Sequence, residues 1–195
     1  MSKPHRTAAQ SLPARVHYRI SPADTSAHHW HVEMTLQRPA PRQRLQLPVW
    51  IPGSYMVREF SRHLQELSCS QAGRSRNLTQ IDKASWEVDA DPDQPLHLRY
   101  TVYALDSSVR TAWLDSARGF FNATSLCLMA QGCVDQPHTL ELLPAAAHPS
   151  WRVATGLSAQ ALDRRGFGLY RAADYDELAD CPVEMGDFWS GAFTA

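Results

Sequence analysis

The chain has 195 residues, 44% of them hydrophobic, which is enough for one sizeable core and argues against intrinsic disorder. Nineteen basic residues face 20 acidic ones for a formal net charge of -1, so no bulk field points to nucleic acid or to an anionic membrane surface. No window approaches the roughly 20 apolar residues of a spanning helix, and Cys69, Cys127, Cys133 and Cys181 form no C-x-x-C pair, which fits reduced thiols in the cytoplasm.

Residues 1–14 are polar, carry Pro4 and Pro13, and read as a flexible N-terminus ahead of a β-rich domain over 15–172. Val16, Tyr18 and Ile20 alternate with polar neighbours, as do Trp30, Val32, Met34 and Leu36 between His29 and Gln37; that two-residue period is the mark of half-buried strands. Ser21 to Ala27, with Pro22 and Asp24, reads as the turn of a hairpin between them. Leu45, Leu47 and Val49 alternate until Pro48 and Pro52 interfere, so this strand lies at an edge or ends in an ordered loop over Trp50 to Tyr55. From Val57 to Ser70 a helical face (Phe60, Leu64, Leu67) competes with a strand, and the strand is preferred from about His63.

Trp86 with Val88 and Leu96 to Val102 give two further alternating runs, expected to pair across the D-P-D-Q-P turn of Asp91 to Pro95. Short strands follow at Leu126 to Ala130, Leu140 with Leu142, Trp151 with Val153, and Phe167 to Arg171. The pattern predicts a mainly β fold, an antiparallel sandwich or saddle-shaped sheet. One short helix near the C-terminus is expected from the Asp174…Glu177 capping box, stopped by Pro182. Residues 173–195 therefore read as a helix plus linker, and the aromatic, apolar run Phe188 to Ala195 reads as an element continuing into a further domain.

The nine histidines contain no H-E-x-x-H spacing, so no catalytic zinc ligand set and no catalytic residue is assigned to this chain. His29 and His31 share one strand face, but Trp30 and Val32 take the inward face, which leaves the histidines to solvent. Gly53-Ser54 lacks the second glycine of a nucleophile elbow, and Gly166-Phe-Gly168 is not followed by a third glycine and a helix. The segment W-I-P-G-S-Y-M-V-R-E-F is the most unusual: Pro52-Gly53 sets a rigid bend around Trp50, Tyr55 and Phe60, with Arg58 and Glu59 next to it. Such a bend is either a docking surface for another domain or an internally packed loop with a surface ion pair.

Trp50 to Phe60, D-K-A-S-W (Asp82 to Trp86), R-G-F-F-N-A-T-S-L (Arg118 to Leu126) and Y-D-E-L-A-D-C-P-V-E-M-G-D-F (Tyr175 to Phe188) together resemble the N-terminal domain of the glycyl aminopeptidase family of zinc metallopeptidases. The resemblance runs in order over nearly the whole chain from about Val16. It implies a saddle-shaped β domain, related to that of the aminopeptidase N group, preceding a thermolysin-like catalytic domain that carries the zinc and is absent here. It implies no cofactor in this chain, the catalytic domain and the peptide substrate's N-terminus as partners, and an interdomain interface at Trp50, Pro52, Tyr55, Arg58, Glu59, Phe188 and Trp189. In the wider group a Gln or Glu followed by Ala reaches the substrate amine; the local match is Asn122-Ala123, so the resemblance makes Asn122 a candidate acceptor for that ammonium, with Phe120 and Phe121 as an aromatic wall. Read locally, Asn122 is a turn residue. The alternative to an accessory domain is a free-standing β-sandwich module for carbohydrate or protein, with Trp50, Trp113 and Trp151 as its platform. A small Ser or Cys hydrolase is a further alternative.

Overall fold

The computed structural model describes residues 14–51, 54–189 and 191. The flexible N-terminus expected over 1–14 and the interface residue Pro52 fall almost wholly or wholly outside them.

The alternating apolar residues fold as strands whose buried side chains all point to one core. β1 (Val16–Asp24), β2 (His29–Leu36), β3 (Arg42–Gln46), β4 (Leu64–Gln71), β5 (Arg74–Ser75), β6 (Leu78–Gln80), β7 (Ser85–Asp89) and β8 (Leu96–Tyr103) come first. β9 (Ala112–Leu114), β10 (Arg118–Phe121), β11 (Met129–Ala130), β12 (His138–Leu142), β13 (Arg152–Thr155), β14 (Ser158–Leu162), β15 (Gly168–Ala172) and β16 (Val183–Gly186) follow. An eight-stranded sheet runs β14-β15-β12-β1-β2-β8-β4-β5, and two four-stranded sheets run β13-β16-β10-β9 and β11-β3-β7-β6. Trp30, Val32, Met34 and Leu36 of β2 are fully buried, and all three sheets supply residues to one hydrophobic cluster. The mainly β fold is as expected. No helix among the described residues is long and apolar enough to cross a membrane.

Several local expectations change. β1 runs on through Pro22 to Asp24. Its pairing to β12 ends at Ile20 with Leu142, so the absent N–H of Pro22 faces a side where no ladder bond is due. That β1–β12 pairing is parallel, whereas every other pairing among the described residues is antiparallel. β7 and β8 do not pair: β7 joins β3 and β6, while β8 lies between β2 and β4. Asp91 to Pro95 is thus a crossover between sheets. Buried Gln71 holds it, donating to the Asp91 and Gln94 carbonyls at 2.8 and 2.9 Å and accepting the Asp91 N–H at 2.9 Å.

The strand expected from Leu126 to Ala130 shrinks to β11, preceded by a second short helix, α1 (Ala123–Leu126). The C-terminal helix, α2 (Tyr175–Asp180), forms where the capping box places it, with the Glu177 N–H donating to Asp174 Oδ1 at 2.8 Å. A 3-10 turn over Phe60–His63 separates the Trp50 loop from β4 and buries Phe60, so both competing readings of that stretch hold in part.

Candidate functional site

Phe120, Phe121 and Asn122 lead directly into α1. Asn122 caps it: Oδ1 accepts the Thr124 N–H at 3.0 Å and the Thr124 hydroxyl at 2.6 Å, while Nδ2 donates to the Ala179 carbonyl of α2 at 2.9 Å. The Asn122 N–H donates to Thr111 O at 2.9 Å, tying the cap to the segment before β9. Both lone pairs of the amide oxygen are taken, so an incoming ammonium would have to displace Thr124. Phe121 is buried edge-on against Trp30, with centroids 5.2 Å apart, and faces the core rather than any substrate wall. Phe120 is partly exposed, with the Arg118 guanidinium 5.9 Å from its centroid.

Beyond α1 the chain crosses the core without regular structure, and three buried tyrosines satisfy its carbonyls in turn. Tyr100 donates to Leu126 O, Tyr175 to Cys127 O and Tyr18 to Leu128 O, each at 2.7 Å. Burial pushes all three phenols well above their ordinary range, so they remain donors across physiological pH. Nothing in the sequence announces this clamp, because positions 18, 100 and 175 lie on three separate elements.

The Trp50 loop borders α1 and α2: Trp50, Thr124, Asp176 and Ala179 line one cleft of about 250 Å³. Its base is stapled by the Arg58 N–H to Val49 O at 2.8 Å and by Arg58 Nε to Ser54 Oγ at 3.1 Å. Ile51 and Phe60 are buried, whereas Trp50 is 59%, Tyr55 97%, Met56 65% and Val57 60% exposed. Glu59 meets Lys83 at 3.6 Å in an exposed pair of little energetic weight. At the other predicted contact, the Arg152 guanidinium lies 5.0 Å from the Phe188 ring centroid and donates to the Phe188 carbonyl, and Trp189 is 89% exposed.

The tryptophans form no flat ligand platform. Trp151 is buried and stacked on His148 at 4.5 Å, because it fills the core beside β13, and Trp113 is only partly exposed. The thiols are poor nucleophiles: burial pushes Cys69 up to about 11 and Cys127 further still. Among the described residues, no group of three His, Cys, Asp or Glu side chains gathers to hold a metal ion. His31 instead sits 3.8 Å from Glu33, on the outer face of the large sheet.

The sequence matches the peptidase M61 N-terminal domain family over residues 17–187, and the chain belongs to that family. It is similar, at 41% identity and a TM-score of 0.85, to an aminopeptidase N family protein from Idiomarina loihiensis, over 88% of this chain. The chain spans only 29% of the length of that relative. An M1 zinc metallopeptidase from Deinococcus radiodurans shares the fold with a TM-score of 0.54 at 12% identity, over 91% of this chain and 43% of that one. Legionella pneumophila aminopeptidase A in complex with aspartic acid does so with a TM-score of 0.52 at 9% identity, over 89% and 21%. A search of curated proteins returned no match.

Proposed function

We propose that this chain is the non-catalytic β domain of a zinc aminopeptidase, packing on a catalytic domain of the same polypeptide and forming one wall of the cleft that accepts peptide N-termini. The observation that carries the reading is the loop bearing Trp50, Tyr55, Met56 and Val57. Four large apolar side chains stand in solvent on a segment whose backbone is stapled at its base, which is the chemistry of a surface built to be covered. Trp189, exposed at the far end of the sequence, adds a second anchor. The zinc and its ligands then belong to the partner domain, as does the chemistry of hydrolysis. Asn122 serves in this reading as a positioning residue, holding α1 against α2 so that the cleft wall beside Trp50 keeps its shape. The four unpaired cysteines and the near-zero net charge suit a cytoplasmic enzyme acting without nucleic acid or membrane.

The test compares this 195-residue chain with the longer polypeptide the reading requires, both supplied with zinc. Hydrolysis of alanyl and glycyl anilides with one bound zinc per chain is expected only for the longer form. Exchanging Tyr55 and Val57 together for Ser should lower its activity at least tenfold, or loosen the two domains in limited proteolysis. Zinc-dependent cleavage by this chain alone would refute the assignment.

A further inference from the structure

A second cavity, of about 320 Å³, touches α1 at Ser125 and lies at the lower end of the roughly 300–1,000 Å³ of small-molecule sites. Its walls include Tyr103 and Trp113, both partly exposed, and its rim carries one cation and one anion, Arg62 and Asp106. The two charges do not pair with each other, and each is fixed by its own neighbour. Arg62 Nε donates to His63 Nε2 at 2.9 Å, which places the imidazole proton on Nδ1 and leaves the two terminal guanidinium nitrogens unbonded among the described residues. Asp106 Oδ1 accepts the Ser108 N–H at 2.9 Å, and the Thr111 hydroxyl braces the same turn by donating to Asp106 O at 3.0 Å. Oδ2 is left as a free acceptor among the described residues. His63, tilted against Tyr103 at 6.2 Å, is held below its ordinary value by burial and the adjacent Arg62, against an opposing pull from Asp106.

A guanidinium, a braced carboxylate and two aromatic rings lining one cavity form the complement of a molecule that carries a carboxylate, an ammonium and an apolar side chain. We propose that this cavity binds a free amino acid in its zwitterionic form, with Arg62 taking the carboxylate, Asp106 the ammonium, and Tyr103 with Trp113 the side chain. An aromatic or branched aliphatic side chain suits those walls. The proposal goes beyond the accessory-domain reading and does not rest on it, because the site lies wholly within this chain.

Titration of the purified chain with L-phenylalanine, followed by calorimetry, gives the test. Saturable one-to-one binding is expected, with N-acetylphenylalanine (no ammonium) and phenylalaninamide (no carboxylate) each about tenfold or more weaker, since each loses a charge-assisted contact. Arg62→Gln and Asp106→Asn, both at exposed positions and expected to leave the melting temperature unchanged, should each weaken phenylalanine by a similar factor. Arg62→Gln should leave phenylalaninamide, which has no carboxylate for it to hold, unaffected. No binding at 10-fold the concentration of a weak, roughly millimolar site, or equal binding of either blocked analogue, overturns the proposal. Failure here leaves the zinc comparison above untouched, and the converse also holds.

Discussion

The phenol of Tyr100 donates to the carbonyl of Leu126 at 2.7 Å and, through the same oxygen, accepts the N–H of Leu128 at 3.2 Å. One side chain from the centre of the large sheet thereby satisfies two buried backbone groups in a segment that has no ladder of its own. Removing it with Tyr100→Phe strands both groups away from water, at a cost of about 1–3 kcal/mol. Urea unfolding monitored by tryptophan fluorescence should show the midpoint fall with an unchanged slope. A midpoint equal to that of the parent chain would mean that water replaces the phenol.

Asn122 separates its two duties by substitution. Asn122→Ala loses the α1 cap and the tie to Ala179, and should destabilise by about 1–2 kcal/mol. Asn122→Asp keeps the acceptor for Thr124 but cannot donate to Ala179 O, so it should recover the cap and not the tie. In the longer polypeptide that the proposed function requires, a positioning role predicts that the Asp variant lowers kcat with little change in KM. A large rise in KM alone would point instead to direct contact with substrate.

Gly119 lies under the Trp30 ring, and a Cβ there would stand 2.8 Å from two of its carbons. Gly119→Ala should therefore cost about 1–3 kcal/mol by overpacking. The cost should largely vanish in the Trp30→Phe background, where the ring no longer reaches. Equal losses in both backgrounds would place the strain elsewhere.

Stability should fall with acid through buried His138. Burial is the main cause that holds it below 6.5, opposed by its bond to the Gln136 carbonyl and by Asp174. The unfolded chain then takes up a proton near pH 6.5 that the native state refuses. Stability is fully present above that value and is lost as pH drops toward the native-state value, and His17 and His63 add in the same direction. Urea midpoints from pH 8 to pH 5 should decline, and His138→Phe should flatten the decline. An unchanged slope in that variant would remove His138 as its source.

Thiol reactivity should rank by burial. At about pH 7.5 Cys181 of the native protein should be first to attack an aromatic disulfide reagent, forming a mixed disulfide and releasing the aryl thiolate, with Cys69 and Cys127 reacting only on unfolding. Rapid modification of Cys127 in the native state would revive a nucleophilic role for it.

The two-residue period exposed most of the large sheet, since β2 and β8 bury every second residue along one face. It failed where the chain leaves that period for a reason carried elsewhere. Leu126 to Leu128 is apolar enough to read as strand, yet its carbonyls are met by phenols from distant elements. The D-P-D-Q-P turn reads as a hairpin because proximity favours pairing, but Gln71 captures it and sends the chain to another sheet. Of the site, the Trp50 loop was visible from its composition, whereas Arg62 and Asp106 are ordinary charges in sequence and meet at one cavity only after folding. Asn122 reads in sequence as a turn residue, and its bonds to Thr124 and Ala179 as the cap of α1 required seeing the fold.

The parallel seam between β1 and β12 joins Val16 to His138 in the middle of the large sheet. During synthesis the first strand emerges long before its neighbour on that side, an interval on the order of ten seconds at ribosomal speed. Until then Val16, Tyr18 and Ile20 belong to an open edge that another nascent chain can pair with. Yield in cells should thus depend on chaperone capacity and growth temperature more steeply than equilibrium stability alone would forecast.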